Sequence, residues 1–128
     1  MITVKHIQIQ DIPLMLLEDA KKQGVSIATN KKQVLFGAYT EGVLVGFCSL
    51  VLFNHGRYGL LKSDYVVPQH RRRGIYRQLN ETRLQYAQSI KLPYVLASAY
   101  FEAAFLLIKI GGVVEKKYKE GLKIKIPL

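Results

Sequence analysis

The sequence predicts an α/β fold, more fully an α+β arrangement of one central mixed sheet flanked by helices, and three observations carry that prediction. Runs rich in branched and aromatic apolar residues, bounded by glycine or proline, recur along the whole chain. Between them stand segments after Gly74 and after Tyr100 whose apolar residues either return at helical spacing or fill nearly every face. No repeat, low-complexity tract or linker divides the chain, so residues 1–128 are expected to form one domain.

The elements follow in order. "ITVKHIQI", from Ile2 to Ile9, alternates and is rich in β-branched residues, which predicts a first strand. "DIPLMLLEDAKKQG" opens on Asp11 as a helix N-cap and closes on Gly24. "VLFGAYTEGVLVGFCSLVLF" reads as strands Val34 to Tyr39 and Val43 to Phe53, joined by a tight turn through Thr40, Glu41 and Gly42. After the loop "NHGRYG", "LLKSDYVV" is a further strand, ended by Pro68. From Gly74, the residues Ile75, Leu79, Tyr86 and Ile90 share one helical face, with Leu84 outside it, over about four turns. "PYVLASAY" is a short buried strand, and "EAAFLLIKI" a helix apolar nearly all round, predicted to lie deep. "GVVEKKYKEGLKIKIPL" forms a last hairpin turning near Gly121. The order is β-α-β-β-β-α-β-α-β-β.

Composition narrows the class. A chain of 128 residues buries about two-thirds of the surface its unfolded form exposes, so it needs neither disulfide nor metal to fold. No apolar run approaches the roughly 20 residues that span a bilayer, and the first residues lack a secretory signal, so a cytoplasmic protein without membrane attachment is expected. The one cysteine, Cys48, cannot form an internal disulfide and sits in an apolar run, where a buried, reduced thiol is expected. Nineteen Lys and Arg against nine Asp and Glu give a net charge of +10, which favours phosphate-bearing partners. Charge alone does not choose between cofactor, nucleic acid and anionic surface.

"VVPQHRRRGIYRQL", from Val66 to Leu79, concentrates that charge. A strand, a tight loop and a helix start together present backbone N–H groups without intrahelical partners at the positive end of the helix dipole. Phosphates bind at such places. Gly74 lets a ligand approach the backbone, and Arg71, Arg72, Arg73 and Arg77 add charge for phosphate oxygens. An exposed basic face, or one reading a nucleic-acid backbone, fits the same residues.

In its context this stretch resembles the acetyl-coenzyme A loop of the GNAT family of N-acetyltransferases, and the element order resembles that family over essentially the whole chain. The family pattern of Arg or Gln, two residues, Gly, one residue, then Gly or Ala falls on Arg71, Gly74 and Tyr76, so the third place departs from it. The resemblance implies that the backbone amides of Arg72, Arg73, Gly74, Ile75, Tyr76 and Arg77 hold the pyrophosphate of acetyl-CoA. It implies also that the pantetheine arm pairs with the strand end at Tyr65, Val66 and Val67, with the Tyr76 side chain free to turn away. Set on "YFEAAFLLIKIGG", the family's later helix puts Leu107 where a tyrosine often serves as general acid.

The implied reaction is attack of a primary amine on the thioester of acetyl-CoA, which needs a base, a backbone donor for the carbonyl oxygen and an acid for the sulfur. Asp64, a carboxylate near the end of the strand, is the candidate base, though a solvated strand-end Asp reads the same. Tyr100, at the mouth of the next strand, is the candidate acid, with Tyr65 a further choice. No Cys and His spacing indicates a metal site. Three readings stay open: the N-acetyltransferase, acting as monomer or homodimer on a small or exposed amine; a non-catalytic CoA-binding regulator of a protein partner; and, last, a basic nucleic-acid-binding module, for which no aromatic stacking surface or DNA-binding motif is evident.

Overall fold

The computed structural model describes residues 1–128. Seven strands form one sheet: β1 (Ile2–Ile7), β2 (Gln33–Thr40), β3 (Val43–Phe53), β4 (Tyr58–Val66), β5 (Tyr94–Tyr100), β6 (Val113–Lys117) and β7 (Gly121–Pro127). Three helices join them, α1 (Leu14–Lys22), α2 (Ile75–Ser89) and α3 (Phe101–Lys109). The strands lie in the order β1-β2-β3-β4-β5-β7-β6. Every neighbouring pair is antiparallel except β4 and β5. That parallel pair demands a crossover, and α2 supplies it.

Alternation along the strands sorts the core onto two faces. On one face Val34, Phe36 and Ala38 of β2 pack with Ile75 and Leu79 of α2. Further along that face Leu50, Val95, Ile124 and Ile126 meet Ala87 of α2 and Ala104 and Leu107 of α3. Each fully buried Leu or Phe there contributes about 1.5–3 kcal/mol. On the opposite face Ile7, Leu35, Leu44, Phe47 and Tyr65 pack under Ala20 of α1. That helix covers the β1 to β4 side only, and the same face of β5, β7 and β6 carries none.

The β2–β3 hairpin turns where the sequence predicts, because Glu41 (φ 50°) and Gly42 (φ 78°) both take the left-handed conformation that such two-residue turns require. Two expectations are corrected. Asp11 does not cap α1: it lies in a single 3₁₀ turn, Ile9–Asp11, and its carboxylate accepts from the Gln8 N–H at 2.8 Å. The helix begins after Pro13, whose fixed φ suits a helix start but which brings no side-chain acceptor. Nor does α3 lie deep. Only Ala104 and Leu107 are buried, while Phe105 is 59% exposed, because a nine-residue helix on one side of a sheet buries a single stripe.

Candidate functional site

β4 and β5 pair only at Gly59 with Val95 and Leu60 with Leu96, and beyond those residues they diverge. The cleft between them measures about 1300 Å³. A bulge in β4 helps to open it: Ser49 of β3 faces Lys62 and Phe47 faces Tyr65, so two β4 residues, Ser63 and Asp64, stand against Cys48 alone. Ser63 takes φ 58°, a conformation that a non-glycine residue holds at a cost, and its Oγ donates to the Ser26 carbonyl at 2.7 Å in the loop after α1.

At the C-terminal end of β4 the chain makes a 3₁₀ turn, Pro68–His70, and passes through the arginines to Gly74. Arg72 (φ 63°) and Gly74 (φ 80°) are both left-handed, and a side chain at Gly74 would meet nothing within 4 Å, so this backbone faces open space. The first hydrogen bond of α2 runs from the Gln78 N–H to the Gly74 carbonyl at 3.1 Å. The amides of Ile75, Tyr76 and Arg77 are thereby left without helical partners, at the positive end of a 15-residue helix. Arg72, Arg73 and Arg77 are exposed, and none has a carboxylate partner.

Arg71 behaves differently. Its Nε donates to the Val66 carbonyl at 2.9 Å, its Nη2 donates to Gln23 Oε1 at the end of α1, and its guanidinium lies 6.0 Å from the Tyr65 ring centre. The side chain thus ties β4 to α1 and folds back from the loop. Val67 N–H donates to Val45 on the β3 side, so the Val66 carbonyl that Arg71 reaches belongs to the edge facing the cleft. Tyr65 is buried, with its hydroxyl donating to Asp19 Oδ2 of α1; burial, then that bond and charge, push its phenol up to about 12.

Beneath the bulge lies a polar cluster. Arg83 of α2 is fully buried and donates from Nη1 to Asp64 Oδ1 at 2.5 Å and from Nη2 to Asp64 Oδ2 at 3.2 Å. It also donates to the Ser49 carbonyl at 3.0 Å and to Asn80 Oδ1 at 2.8 Å. Burial works against the Arg83 charge, and the Asp64 carboxylate, with Cys48 and Tyr76 adding to it, more than offsets that, raising the guanidinium beyond its ordinary range. Tyr76 turns towards this cluster: burial, with Asp64 adding to it and Arg83 opposing, raises its phenol well above the usual value. Cys48 is buried as expected, its thiol pushed up to about 12 by burial, with Arg83 opposing and Asp64 adding.

The structure therefore brings Asp64, Tyr65, Val66, Arg71, Arg72, Gly74, Ile75, Tyr76, Arg77 and Tyr100 to one cleft, and Val67 and Arg73 adjoin it in sequence. Tyr100 is 74% exposed at the start of α3, where Ala103 and Leu106 face the cleft, while Leu107 is buried in the core. Sequence reasoning missed Arg83, Asn80 and Asp19. A signal existed for the first: Arg83 stands four residues after Leu79 and eight after Ile75, a cation on the apolar stripe of α2.

Fold and site define a class: a mixed-sheet protein whose one parallel strand pair opens into a cleft at a cationic helix N-terminus. The chain belongs to the acetyltransferase (GNAT) family, whose profile matches residues 8–104. No curated protein matches it by sequence. Among solved structures it is similar to an IAA acetyltransferase from Bacillus cereus, with TM-score 0.78 and 14% identity over 100% of each chain. It is similar to the PaiA N-acetyltransferase of Thermoplasma acidophilum in complex with coenzyme A, with TM-score 0.78, 13% identity, and 100% of this chain and 99% of that one covered. A third, a GNAT acetyltransferase from Elizabethkingia anophelis with acetyl-CoA bound, aligns at TM-score 0.77 and 15% identity over 99% and 98% of the two chains. At these identities the structural likenesses establish the shared fold.

Proposed function

We propose that the protein transfers the acetyl group of acetyl-CoA directly to a primary amine. The observation that carries this reading is the meeting, in one cleft, of the β4–β5 divergence with the unpartnered amides of Ile75, Tyr76 and Arg77. The residues fit the group: Gly74 leaves the approach clear, the amides and Arg72, Arg73 and Arg77 answer phosphate charge, and β4 beyond Leu60 has no β5 partner, its Val66 carbonyl being held by Arg71. Two of the similar structures hold CoA or acetyl-CoA, which supports the same assignment. Tyr76, at the loop position that departs from the family pattern, contributes its amide while its ring packs towards Asp64.

When bound, acetyl-CoA supplies an acyl carbon activated as a thioester. The chain's own residues do the rest. N–H groups on the unpaired edge of β4 are the donors available to the carbonyl oxygen. Tyr100, with an exposed phenol on the cleft wall, is the candidate proton donor for the sulfur. Asp64 takes a different part from the base that its sequence position suggests. A proton on its carboxylate would leave the fully buried Arg83 uncompensated, so we assign it as a fixed charge that holds the bulge, with the amine proton leaving through water in the cleft. Release of free CoA thiol on mixing the protein with acetyl-CoA and an amine panel tests the proposal.

One observation favours a second reading. α3 presents Ala103 and Leu106 to the cleft, neither able to give a proton, as a CoA-binding regulator without turnover would tolerate. Tight CoA binding with no thiol release would select it.

A further inference from the structure

The face of the sheet that no helix covers carries an unbalanced charge. By alternation from Leu61, Val95, Leu122 and Ile124, which are buried on the α2 and α3 side, the opposite face of β4, β5 and β7 presents Leu60, Lys62, Leu96, Ser98, Lys123 and Lys125. No Asp or Glu stands on that face of these strands. Lys123 is moreover paired directly across from Lys116 of β6, a like-charge pair that costs stability unless something answers it.

Two of these lysines are already occupied. Lys125 Nζ sits 4.2 Å from the Tyr94 ring centre, and Lys116 Nζ 5.3 Å from that of Tyr118. Lys62 and Lys123 have neither an aromatic ring nor a carboxylate: the only salt bridge in the chain is that of Arg83 with Asp64. They are also the two of these lysines that line the cleft, together with Leu60, Leu96 and Ser98, the last paired with Lys123. These two free lysines thus stand on the cleft wall away from α2, apart from Arg72 and Arg77 at the α2 N-terminus.

We infer that the acceptor is a primary amine whose own skeleton carries an anionic group, a carboxylate or a phosphate, held by Lys62 and Lys123. This rests on the acetyl-transfer reading and names its substrate class. Of the two carboxylates that line the cleft, Asp64 is neutralised by Arg83 and Glu102, at the start of α3, stands alone against Lys62 and Lys123, so the balance there stays positive and disfavours a polycationic acceptor. The apolar floor of Leu60 and Leu96 suits a short hydrocarbon span between amine and anion.

The test compares matched acceptors: L-phenylalanine with L-phenylalanine amide, and O-phosphoethanolamine with ethanolamine. Thiol release from acetyl-CoA should be faster for the charged member of at least one pair, by about tenfold or more in kcat/KM, as one charge-assisted hydrogen bond implies. The pair with the larger ratio identifies the anion. Lys123→Glu should cut that ratio by about tenfold while the Kd for acetyl-CoA stays unchanged, and Lys123→Arg should keep it. Ratios near one in both pairs, or a preference that survives Lys123→Glu, would overturn the inference. If acetyl-CoA binds and no amine is acetylated, the transfer reading fails by itself. Calorimetric binding of the same four compounds to the CoA-loaded protein then decides the anion site: preferential binding of a charged member supports it, and equal or absent binding refutes it.

Discussion

Arg83 and Asp64 form a two-pronged ion pair, with Nη1 to Oδ1 at 2.5 Å and Nη2 to Oδ2 at 3.2 Å, in which the guanidinium has no exposed surface and the carboxylate side chain keeps 31% of its own. One cation therefore holds α2, the β3 backbone at Ser49 and the β4 bulge together. Removing one partner of such a pair is far costlier than forming it is favourable. Asp64→Asn should lower unfolding stability by about 3 kcal/mol in denaturant titration, and Arg83→Met combined with Asp64→Asn should recover part of the loss. Equal stability of Asp64→Asn and wild type would remove the pair from this account.

That pair also marks how far the sequence could be read. The order of elements, the Glu41–Gly42 turn and the α2 start at Gly74 follow from local pattern and turn chemistry, and all stand in the structure. What escaped depends on pairing across distance. Arg83 reads as a solvated cation until Asp64, 19 residues earlier, is seen beside it. Tyr65 and Asp19 meet over 46 residues. Arg71 reads as a phosphate ligand and instead bonds Val66 and Gln23, because the β4 end and the end of α1 supply acceptors closer to it. The bulge at Ser63 left no mark on composition, since register is set by strand partners. The apolar surface of α3 was legible, but its depth was not.

Gly74 tests the phosphate loop. With φ 80° and open space around its Cα, Gly74→Ala should cost about 1 kcal/mol in stability from the left-handed backbone alone. Gly74→Asp adds a carboxylate among the amides and should weaken acetyl-CoA binding at least about tenfold beyond the alanine variant. Calorimetric titration of both variants separates strain from charge.

Tyr100→Phe keeps the ring and removes the phenolic proton. Turnover should fall about tenfold or more, since a general acid contributes roughly 10² to 10⁴ in rate and thiolate departure near neutral pH proceeds slowly without one. The Kd for acetyl-CoA should not move. Turnover equal to wild type would exclude Tyr100 from the chemistry.

Alkaline stability follows from two buried acids. Cys48 is raised from 9.0 to about 12 and Tyr65 from 10.0 to about 12, both first by burial. The folded state favours their neutral forms, so the unfolded chain releases these protons first and stability falls as pH rises. Their contribution is whole below pH 9.0 and is lost as pH climbs towards about 12. Cys48→Ala should flatten the decline in a pH series of unfolding midpoints, and the native thiol should resist alkylation at neutral pH until the protein unfolds.

Electrostatics distinguishes a cofactor loop from a nucleic-acid surface. If Arg72, Arg73 and Arg77 serve one pyrophosphate, duplex and single-strand binding should be weak and should fall steeply with salt, through counterion release. CoA should compete with it. Tight nucleic-acid binding at physiological ionic strength, indifferent to CoA, would favour the nucleic-acid reading instead.

Calorimetric titration of the wild-type protein with acetyl-CoA bears most directly on the site. Binding at the junction of the β4–β5 cleft and the α2 N-terminus should appear with a Kd in the micromolar range, about 8 kcal/mol, together with a raised thermal midpoint. No heat and no thermal shift at millimolar acetyl-CoA would contradict the assignment of this cleft, whatever the fold.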